Sequence, residues 1–152
     1  MNKKGFTLVE LLIVIAIIGI IAAIAIPNLL TALQKGKQKA TMGDIKSIGT
    51  GVESYITDVS VAPDAADYAG LRAVLQPFHI KKAPDNDGWG NQFQYTARAG
   101  NQNDAYSVGS GGRDGSTVDW VVTGEYICDS LGDFNNDICY SAGQFVFFPK
   151  VK

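Results

Sequence analysis

Residues 6–26 read FTLVELLIVIAIIGIIAAIAI, and this run decides the architecture of the whole chain. It carries no charge between Leu11 and Ile26. At about 1.5 Å per helical residue it is roughly 30 Å long, which matches the hydrocarbon core of a bilayer. The sequence therefore predicts a membrane-spanning helix over residues 6–27. Pro27 is expected to kink or loosen this helix where the membrane ends.

Glu10 places a carboxylate inside this apolar run. A charged side chain costs about 2.5–3.5 kcal/mol at the centre of a bilayer and less near its edge. Ionisable residues in such segments are therefore candidates for a functional site. We expect a cationic group to come close to Glu10 and offset this cost.

The sequence KKGFTLVE of residues 3–10 closely resembles the type III signal of the type IV pilin family. That family includes pilus subunits and the pseudopilins of type II secretion. The resemblance implies a leader of residues 1–5, cleavage between Gly5 and Phe6, and N-methylation of the new Phe6 amine. It also implies polymerisation through the helix that remains.

Two other interpretations fit the same N-terminus. Lys3 and Lys4 followed by an apolar stretch are typical of a secretory signal, with an A-x-A-like cleavage site at residues 23–25. A simple single-pass anchor, with both lysines kept in the cytoplasm, fits as well. The first residue of the isolated protein separates the three cases. Phe6 indicates a pilin, Ile26 a secreted protein and Met1 a plain anchor.

Composition and motifs argue against two classes of function. The formal net charge is −2, so a phosphate-binding surface and a nucleic-acid partner are not indicated. The sequence contains no P-loop, nucleophile elbow or zinc-protease motif, and we do not expect an enzyme. The single histidine, His79, lies between Phe78 and Ile80, which favours a packing or surface role over catalysis.

Cys128 and Cys139 lie near the C-terminus. In an oxidising compartment we expect them to form a disulfide. The closed loop of about 12 residues would contribute about 3 kcal/mol on the chain-entropy model. The alternative is two unpaired thiols, because two cysteines are too few for a structural zinc site.

The helix is predicted to continue over residues 28–59 as an amphipathic segment, because apolar residues recur there at steps of three and four. This stripe consists of Leu29, Leu30, Leu33, Ile45, Ile48, Val52, Tyr55 or Ile56, and Val59. Four glycines, Gly36, Gly43, Gly49 and Gly51, each weaken the helix by about 1 kcal/mol relative to alanine. Close approach to neighbouring helices or local extensibility would account for them, and poor optimisation is the alternative.

Residues 60–152 are predicted to form a globular head. A short helix over residues 67–75 ends before Pro77. Strands are expected over residues 92–96, 105–108, 120–123 and 144–148, where β-branched and aromatic residues are flanked by turn residues. The predicted fold class is therefore α+β, with one long N-terminal helix packed on a small antiparallel sheet.

The head carries a second resemblance. The sequences DGWGNQFQY of residues 87–95 and YSVGSGGRDG of residues 106–115 look like the turn, strand and loop of the major pseudopilin of type II secretion. Gly88 stands where that family usually has proline. The sequence DICYSAGQFV of residues 137–146 is similar to a closing segment of environmental type IV pilin-like subunits.

The resemblance to major pseudopilins also implies a calcium-binding loop after the glycine-rich strand. Gly111 stands where that family has a key aspartate, which leaves Asp114 and Asp119. A second candidate set, Asp129, Asp133, Asn135 and Asp137, imitates the start of an EF-hand loop but lacks its glycine and glutamate. Calcium takes about six to eight oxygen ligands, so both sets are weak candidates and we expect no cofactor.

The expected function is that of a structural subunit of a type IV pilus-like filament. The alternatives are a major pseudopilin of a type II secretion system and a membrane-tethered binding module that does not polymerise. The resemblance implies further copies of the chain, a prepilin peptidase/methyltransferase, an inner-membrane assembly platform and its ATPase as partners. It places the chain in a bacterial inner membrane with the head outside the cytoplasm, and later in an extracellular pilus or a periplasmic pseudopilus.

Within such a filament, we expect Glu10 of one subunit to pair with the free Phe6 amine of a neighbour. At about 4 Å and an effective dielectric constant near 20, that attraction is of order 4 kcal/mol. The leader would block the pairing until it is removed.

Overall fold

A computed structural model describes residues 5–97 and 105–150 of the chain. The described residues contain a long helix and a short one, α1 (Leu8–Val59) and α2 (Tyr68–Leu75). Their strands are β1 (Gln94–Ala97), β2 (Tyr106–Ser110), β3 (Gly124–Tyr126), β4 (Ile138–Ser141) and β5 (Gln144–Pro149). Short 3-10 helices at Gly112–Asp114 and Leu131–Asn135 precede β3 and β4.

Helix α1 runs without interruption through Pro27 for 52 residues, as the sequence predicts. Proline removes one amide donor from the helix. Next to it the Asn28 side-chain amide donates to the Ile24 carbonyl (3.1 Å) and the Thr31 hydroxyl to the Pro27 carbonyl (3.0 Å), as additional bonds within the helix. Neither bond replaces the one that proline removes, because that bond would end on the Ala23 carbonyl. The helix ends where Ser60 adopts a left-handed conformation and donates its amide to the Ile56 carbonyl.

The two halves of α1 have different surroundings. Residues 8–33 carry exposed apolar side chains, whereas Ile45, Ile48 and Val52 in the upper half are fully buried against the head. The predicted apolar stripe is therefore correct only in its centre. Its lower members Leu29, Leu30 and Leu33 and its last member Val59 are exposed, while Gln38 and Thr41 are buried beside the head.

The sheet has the strand order β1-β2-β4-β5-β3. All neighbouring strands are antiparallel except β3 and β5, which are parallel. The prediction of an antiparallel sheet is therefore correct for every pair but this one. One face of the sheet packs on the upper half of α1. Tyr95, Val108 and Tyr140 lie side by side on this face and form the core with the helix.

One strand prediction fails for a local reason, and two strands, β3 and β4, were not predicted. Trp120 and Val121 form a turn because the Asp119 carboxylate accepts the Val121 amide (3.0 Å), and such local bonds compete with strand pairing. Strand β4 was not predicted, because it is only four residues long and joins β5 through Ala142 and Gly143. Both of these residues have positive φ, as a tight hairpin turn requires, without the usual Asn-Gly signal.

Close contacts with the head explain two of the four helix glycines. The Tyr140 ring packs against Gly49, and the Ile80 side chain packs against Gly51, in each case where a Cβ atom would stand. Gly36 and Gly43 face open space. The close approach predicted for the glycines therefore occurs at two of them, and the partner is the chain's own head rather than a neighbouring helix.

The turn at residues 87–91 attaches the head to α1, near the lower end of the part of the helix that the head covers. The buried Asp87 carboxylate accepts hydrogen bonds from the amides of Trp89 (2.9 Å) and Asn91 (2.8 Å) and from the Ser110 hydroxyl (2.7 Å). The Gly88 amide donates to the Thr41 hydroxyl (2.9 Å). Proline has no amide hydrogen and cannot make this last bond. Glycine is favoured over other residues because a Cβ atom here would collide with the Lys37 carbonyl.

Gly49→Ala is expected to destabilise the head by about 1–3 kcal/mol, because the added methyl group meets the buried Tyr140 ring. Gly43→Ala is the matched control, since it adds the same methyl group to the same helix where space is open. It should stabilise the chain by up to about 1 kcal/mol through helix propensity. Guanidinium unfolding of the full chain in detergent, followed by tryptophan fluorescence, measures both changes. Equal effects of the two substitutions would contradict the packing described for Gly49.

Candidate functional site

The N-terminal tip of α1 is closed by a reciprocal pair of hydrogen bonds between Thr7 and Glu10. The Thr7 hydroxyl oxygen accepts the Glu10 amide (3.3 Å), and the Glu10 carboxylate accepts the Thr7 amide (2.8 Å). The Thr7 hydroxyl also lies 2.7 Å from the same carboxylate oxygen, Oε2. This arrangement is a capping box, which satisfies otherwise unpaired donors at a helix start.

The capping role of Glu10 is a finding that the sequence analysis missed. The signal was available, because Thr and Glu at a spacing of three before an apolar run are typical of a helix start. Within residues 5–97 and 105–150 the second carboxylate oxygen, Oε1, has no hydrogen-bond partner. An ionised carboxylate offers about four acceptor positions, so the cap leaves room for a further donor.

The predicted cleavage site lies next to this cap. Gly5 has no other group near its Cα, and the Phe6 side chain is 81% exposed. The capping box depends on the peptide amide of Thr7, which is retained if the chain is cut between Gly5 and Phe6. Leader residues 1–4 lie outside the described residues, and the cleavage itself stays a prediction.

Helix α1 is long and apolar enough to cross a membrane. The most apolar stretch of α1 is not buried within the protein, whereas the core helix of a soluble domain is mostly buried. Among the residues that the structure describes, no other helix meets the same criteria. The apolar half of α1, with Glu10 near its tip, is thus the largest uncovered apolar surface of the chain.

The predicted Cys128–Cys139 disulfide is absent from the structure, where both thiols are free and buried. Cys128 contacts the Gln38 amide of α1 (3.3 Å). Cys139 is directed to the opposite face of the sheet, because Ile138 and Tyr140 on either side of it face the helix. Its sulfur lies 3.9 Å from the Asp119 carbonyl oxygen. In the structure the two cysteines therefore have different contacts and form no disulfide.

The first calcium candidate set is engaged in local hydrogen bonds. The Asp114 carboxylate accepts the Ser116 amide (3.0 Å), and the Asp119 carboxylate accepts the Val121 amide. A Cβ atom on Gly111 would collide with the Ser116 carbonyl, so this loop has no room for an aspartate there.

In the second set, the Asp133 carboxylate accepts the amides of Asp129 (2.9 Å) and Ser130 (2.6 Å). The Asn135 side-chain oxygen accepts the Arg113 guanidinium (3.0 Å). Asp137 accepts the Asp119 amide and thereby joins the two loops. In the described part of the chain, no group of three or more acidic, histidine or cysteine side chains is arranged to hold a metal ion. Each of these carboxylates keeps further acceptor positions, so calcium binding at either set stays a prediction.

Burial raises the pKa of Asp137. The Asp119 amide lowers this pKa, and the nearby carboxylates of Asp114 and Asp119 raise it. His79 packs edge-on against the Tyr55 ring, with centroids 5.3 Å apart, and lies 3.3 Å from the Ser54 hydroxyl. The predicted packing role of this histidine is confirmed.

Comparison with known families matches most of the chain. Residues 1–26 match the prokaryotic N-terminal methylation motif. Residues 28–120 match protein G of the type II secretion system. Together the two matches cover both halves of α1 and the head as far as the loop before β3.

Curated relatives agree with these matches. Type II secretion system core protein G of Pseudomonas aeruginosa is 33% identical over 131 residues, which cover 76% of this chain and 89% of that protein. The same protein of Vibrio cholerae is 32% identical over 127 residues, covering 75% and 85%. Type IV major pilin protein PilA of Myxococcus xanthus is 42% identical over 70 residues, covering 46% and 32%. No solved structure matches the chain.

Both thiols are expected to be unreactive until the head unfolds. Burial, followed by the carboxylates of Asp137 and Asp119, raises the pKa of Cys139 to about 12. Burial also raises the pKa of Cys128, although the Gln38 hydrogen bond lowers it. Because the thiolate is the reactive form, Cys139 should react roughly a thousandfold more slowly at pH 8 in the folded chain than in the unfolded one.

Titration with a disulfide reagent, before and after guanidinium unfolding, measures this difference. Two thiols per chain should appear on unfolding, and a Cys139→Ser variant should release one. An intact mass lower by two hydrogens, with no thiol released, would instead establish the disulfide.

Proposed function

Because the chain belongs to the type II secretion system protein G family and is a pilin-like structural subunit, we propose that it polymerises through α1 into a type II secretion pseudopilus. The observation that carries this proposal is the division of α1. Its upper half is buried in the chain's own head, and its apolar lower half is uncovered along its length. Such a surface needs either lipid or further copies of the chain around it.

Before assembly, we propose, residues 6–27 span a bacterial inner membrane with the head outside the cytoplasm. A prepilin peptidase/methyltransferase removes residues 1–5 and methylates the Phe6 amine. The exposed, extended approach to the helix at Gly5 and Phe6 is the form of substrate that such cleavage requires. An assembly platform and its ATPase then draw the subunit from the membrane.

The contact proposed for assembly joins the Phe6 amine of one subunit to Glu10 of the next. The capping box holds the Glu10 carboxylate at the helix tip through Oε2 and leaves Oε1 for the incoming cation. Packing between small and apolar side chains holds the helices together while they are in lipid. Once the filament leaves the membrane, burial of the same side chains contributes about 25 cal/mol per Å².

A type IV pilus is the second candidate, because the chain shares 42% identity over 70 residues with a protein named as a type IV major pilin. The secretion system is favoured, because its protein G relatives align over most of their own length and the pilin relative over 32%. A membrane-tethered module that never polymerises would keep the lower half of α1 in lipid, and isolation of filaments that contain this chain would exclude it. Deleting the gene and measuring secreted protein and surface filaments separately distinguishes the two systems.

We also propose that the chain acts as a structural protein without enzymatic activity and without a resident metal. The proposal that no metal is bound rests on the hydrogen bonds of the Asp114, Asp119 and Asp137 carboxylates. Each of these carboxylates accepts a backbone amide, and Gly111 cannot be replaced by a longer side chain.

Glu10→Gln is expected to leave processing at Gly5 intact and to reduce incorporation into filaments by more than tenfold. The glutamine oxygen can still accept the Thr7 amide, but the charge that attracts the Phe6 amine is lost. Thr7→Ala is the matched control, since it removes the hydroxyl of the cap and keeps the charge. It should cost about 1 kcal/mol of helix stability and retain most incorporation.

Mass spectrometry of purified filaments and N-terminal sequencing of membrane fractions give the two readouts. Normal filament yield from Glu10→Gln would overturn the charge-pairing mechanism. Chains that begin at Met1 and never enter a filament would overturn the proposed function as a whole.

Removal of calcium is expected to leave the stability of the head unchanged. A bound ion at a hundred times its dissociation constant would contribute about 2.7 kcal/mol. Guanidinium unfolding of the full chain in EDTA and in millimolar calcium, with magnesium as the control ion, compares the two states. A midpoint that rises in calcium alone by the equivalent of about 1 kcal/mol or more would contradict the metal-free assignment.

A further inference from the structure

A cavity of about 130 Å³ lies between α1 and the C-terminal end of the head. The helix contributes Lys35, Gln38 and Lys39 to its wall, and the head contributes Ile127 and Lys150. Three lysine side chains thus line one small space, and none of the described residues that line it is acidic. A cavity of this size and charge suits a phosphate group.

The positive charge of the cavity is only partly neutralised. The Lys150 ammonium lies 3.5 Å from the Glu125 carboxylate. Within the described residues, Lys35 and Lys39 form no ion pair. The nearby Asp133 carboxylate is occupied by two backbone amides of its own loop and does not line the cavity.

The cavity lies at the end of the head from which the apolar half of α1 emerges. The Trp89 indole donates to Gln34 (2.6 Å), and below this contact Leu33 is exposed. The proposed span ends at Pro27, but the uncharged run continues to Leu33. Lys35 and Lys39 lie about 12 and 18 Å beyond Pro27 along the helix axis, and about 3 and 9 Å beyond Leu33. They reach the lipid headgroups when the helix sits with residues 11–33 in the hydrocarbon core and Glu10 at the opposite surface.

The basic residues are also on the unusual side of the membrane. Lysine and arginine are enriched in cytoplasmic loops, yet in the proposed orientation Lys35, Lys37 and Lys39 follow the span on its other side. A local anionic partner would account for three lysines at this place. Filament contacts with acidic groups of another head are the competing explanation, and the filament yield of the cavity variant distinguishes them from a lipid site.

We propose that this cavity binds the phosphate of an anionic phospholipid in the leaflet that faces the head. The proposal rests on the proposed function, which places α1 in a membrane before assembly. Lys35 and Lys39 contact the phosphate from the helix, and Lys150 contacts it from the head. The bound lipid fixes the head against the membrane surface and has to dissociate when the subunit is drawn into a filament.

The test uses the full chain in nanodiscs of mixed phosphatidylcholine and phosphatidylglycerol, with native mass spectrometry to count the lipids that remain bound. Wild-type chain should retain phosphatidylglycerol in preference to phosphatidylcholine. The double variant Lys35→Gln/Lys39→Gln should lose about fivefold in this preference for each lysine. Lys37→Gln/Lys46→Gln removes the same charge from the same helix outside the cavity and should change the preference less than twofold.

Three results would overturn the proposal. They are equal retention of the two lipids, equal loss in both double variants, and displacement of the lipid by an equal concentration of inorganic phosphate. A Lys35→Gln/Lys39→Gln variant that keeps the lipid preference but fails to enter filaments would assign the cavity to a protein contact instead. Processing and filament yield are measured on the same wild-type chain. Lipid preference without polymerisation then refutes only the proposed function, and polymerisation without lipid preference refutes only the lipid site.

Discussion

One helix serves two environments, and this constraint governs the structure. The upper half of α1 supplies Ile45, Ile48 and Val52 to the core of the head, whereas the lower half buries nothing within the chain. The hydrophobic effect opposes exposure of such a surface to water at every stage. In the proposed function, lipid covers this surface before assembly and other helices cover it afterwards, so anchoring and assembly would use the same side chains.

The head packs closely against the helix at three glycines. Gly49 admits the Tyr140 ring, Gly51 admits the Ile80 side chain, and Gly88 lies against the Lys37 carbonyl. Each contact brings the head close to the helix axis. The Asp87 carboxylate keeps the turn around Gly88 rigid by accepting three hydrogen bonds. The position of the head along α1 is thereby fixed, and with it the length of helix that protrudes.

The sequence predicted features that depend on local pattern and missed those that depend on tertiary contacts. The continuous helix, α2 with its Asp67 cap, and the strands near Tyr95 and Val108 follow from periodicity and turn residues. The turn at Trp120 and Val121 overrides a β-branched run, because one aspartate side chain captures a backbone amide.

The free thiols of Cys128 and Cys139 could not be predicted in the same way, because their spacing along the chain carries no information about how the two side chains are placed in the fold. The capping box at the helix tip, in contrast, could have been predicted from the sequence. Thr7 and Glu10 have the spacing that is typical of such a cap, but only an external cation was predicted as a partner for Glu10.

The capping box changes the energetic argument about Glu10. A carboxylate in lipid costs about 2.5–3.5 kcal/mol, and hydrogen bonds to a charged group return about 1.5–3 kcal/mol each. The Thr7 amide and hydroxyl therefore offset much of this cost within a single subunit. In the proposed assembly, an approaching Phe6 amine would add its attraction at Oε1 without breaking the cap. Assembly would then gain energy from a charge that is already tolerated, and release of the amine, rather than instability of the acid, would set the order of events.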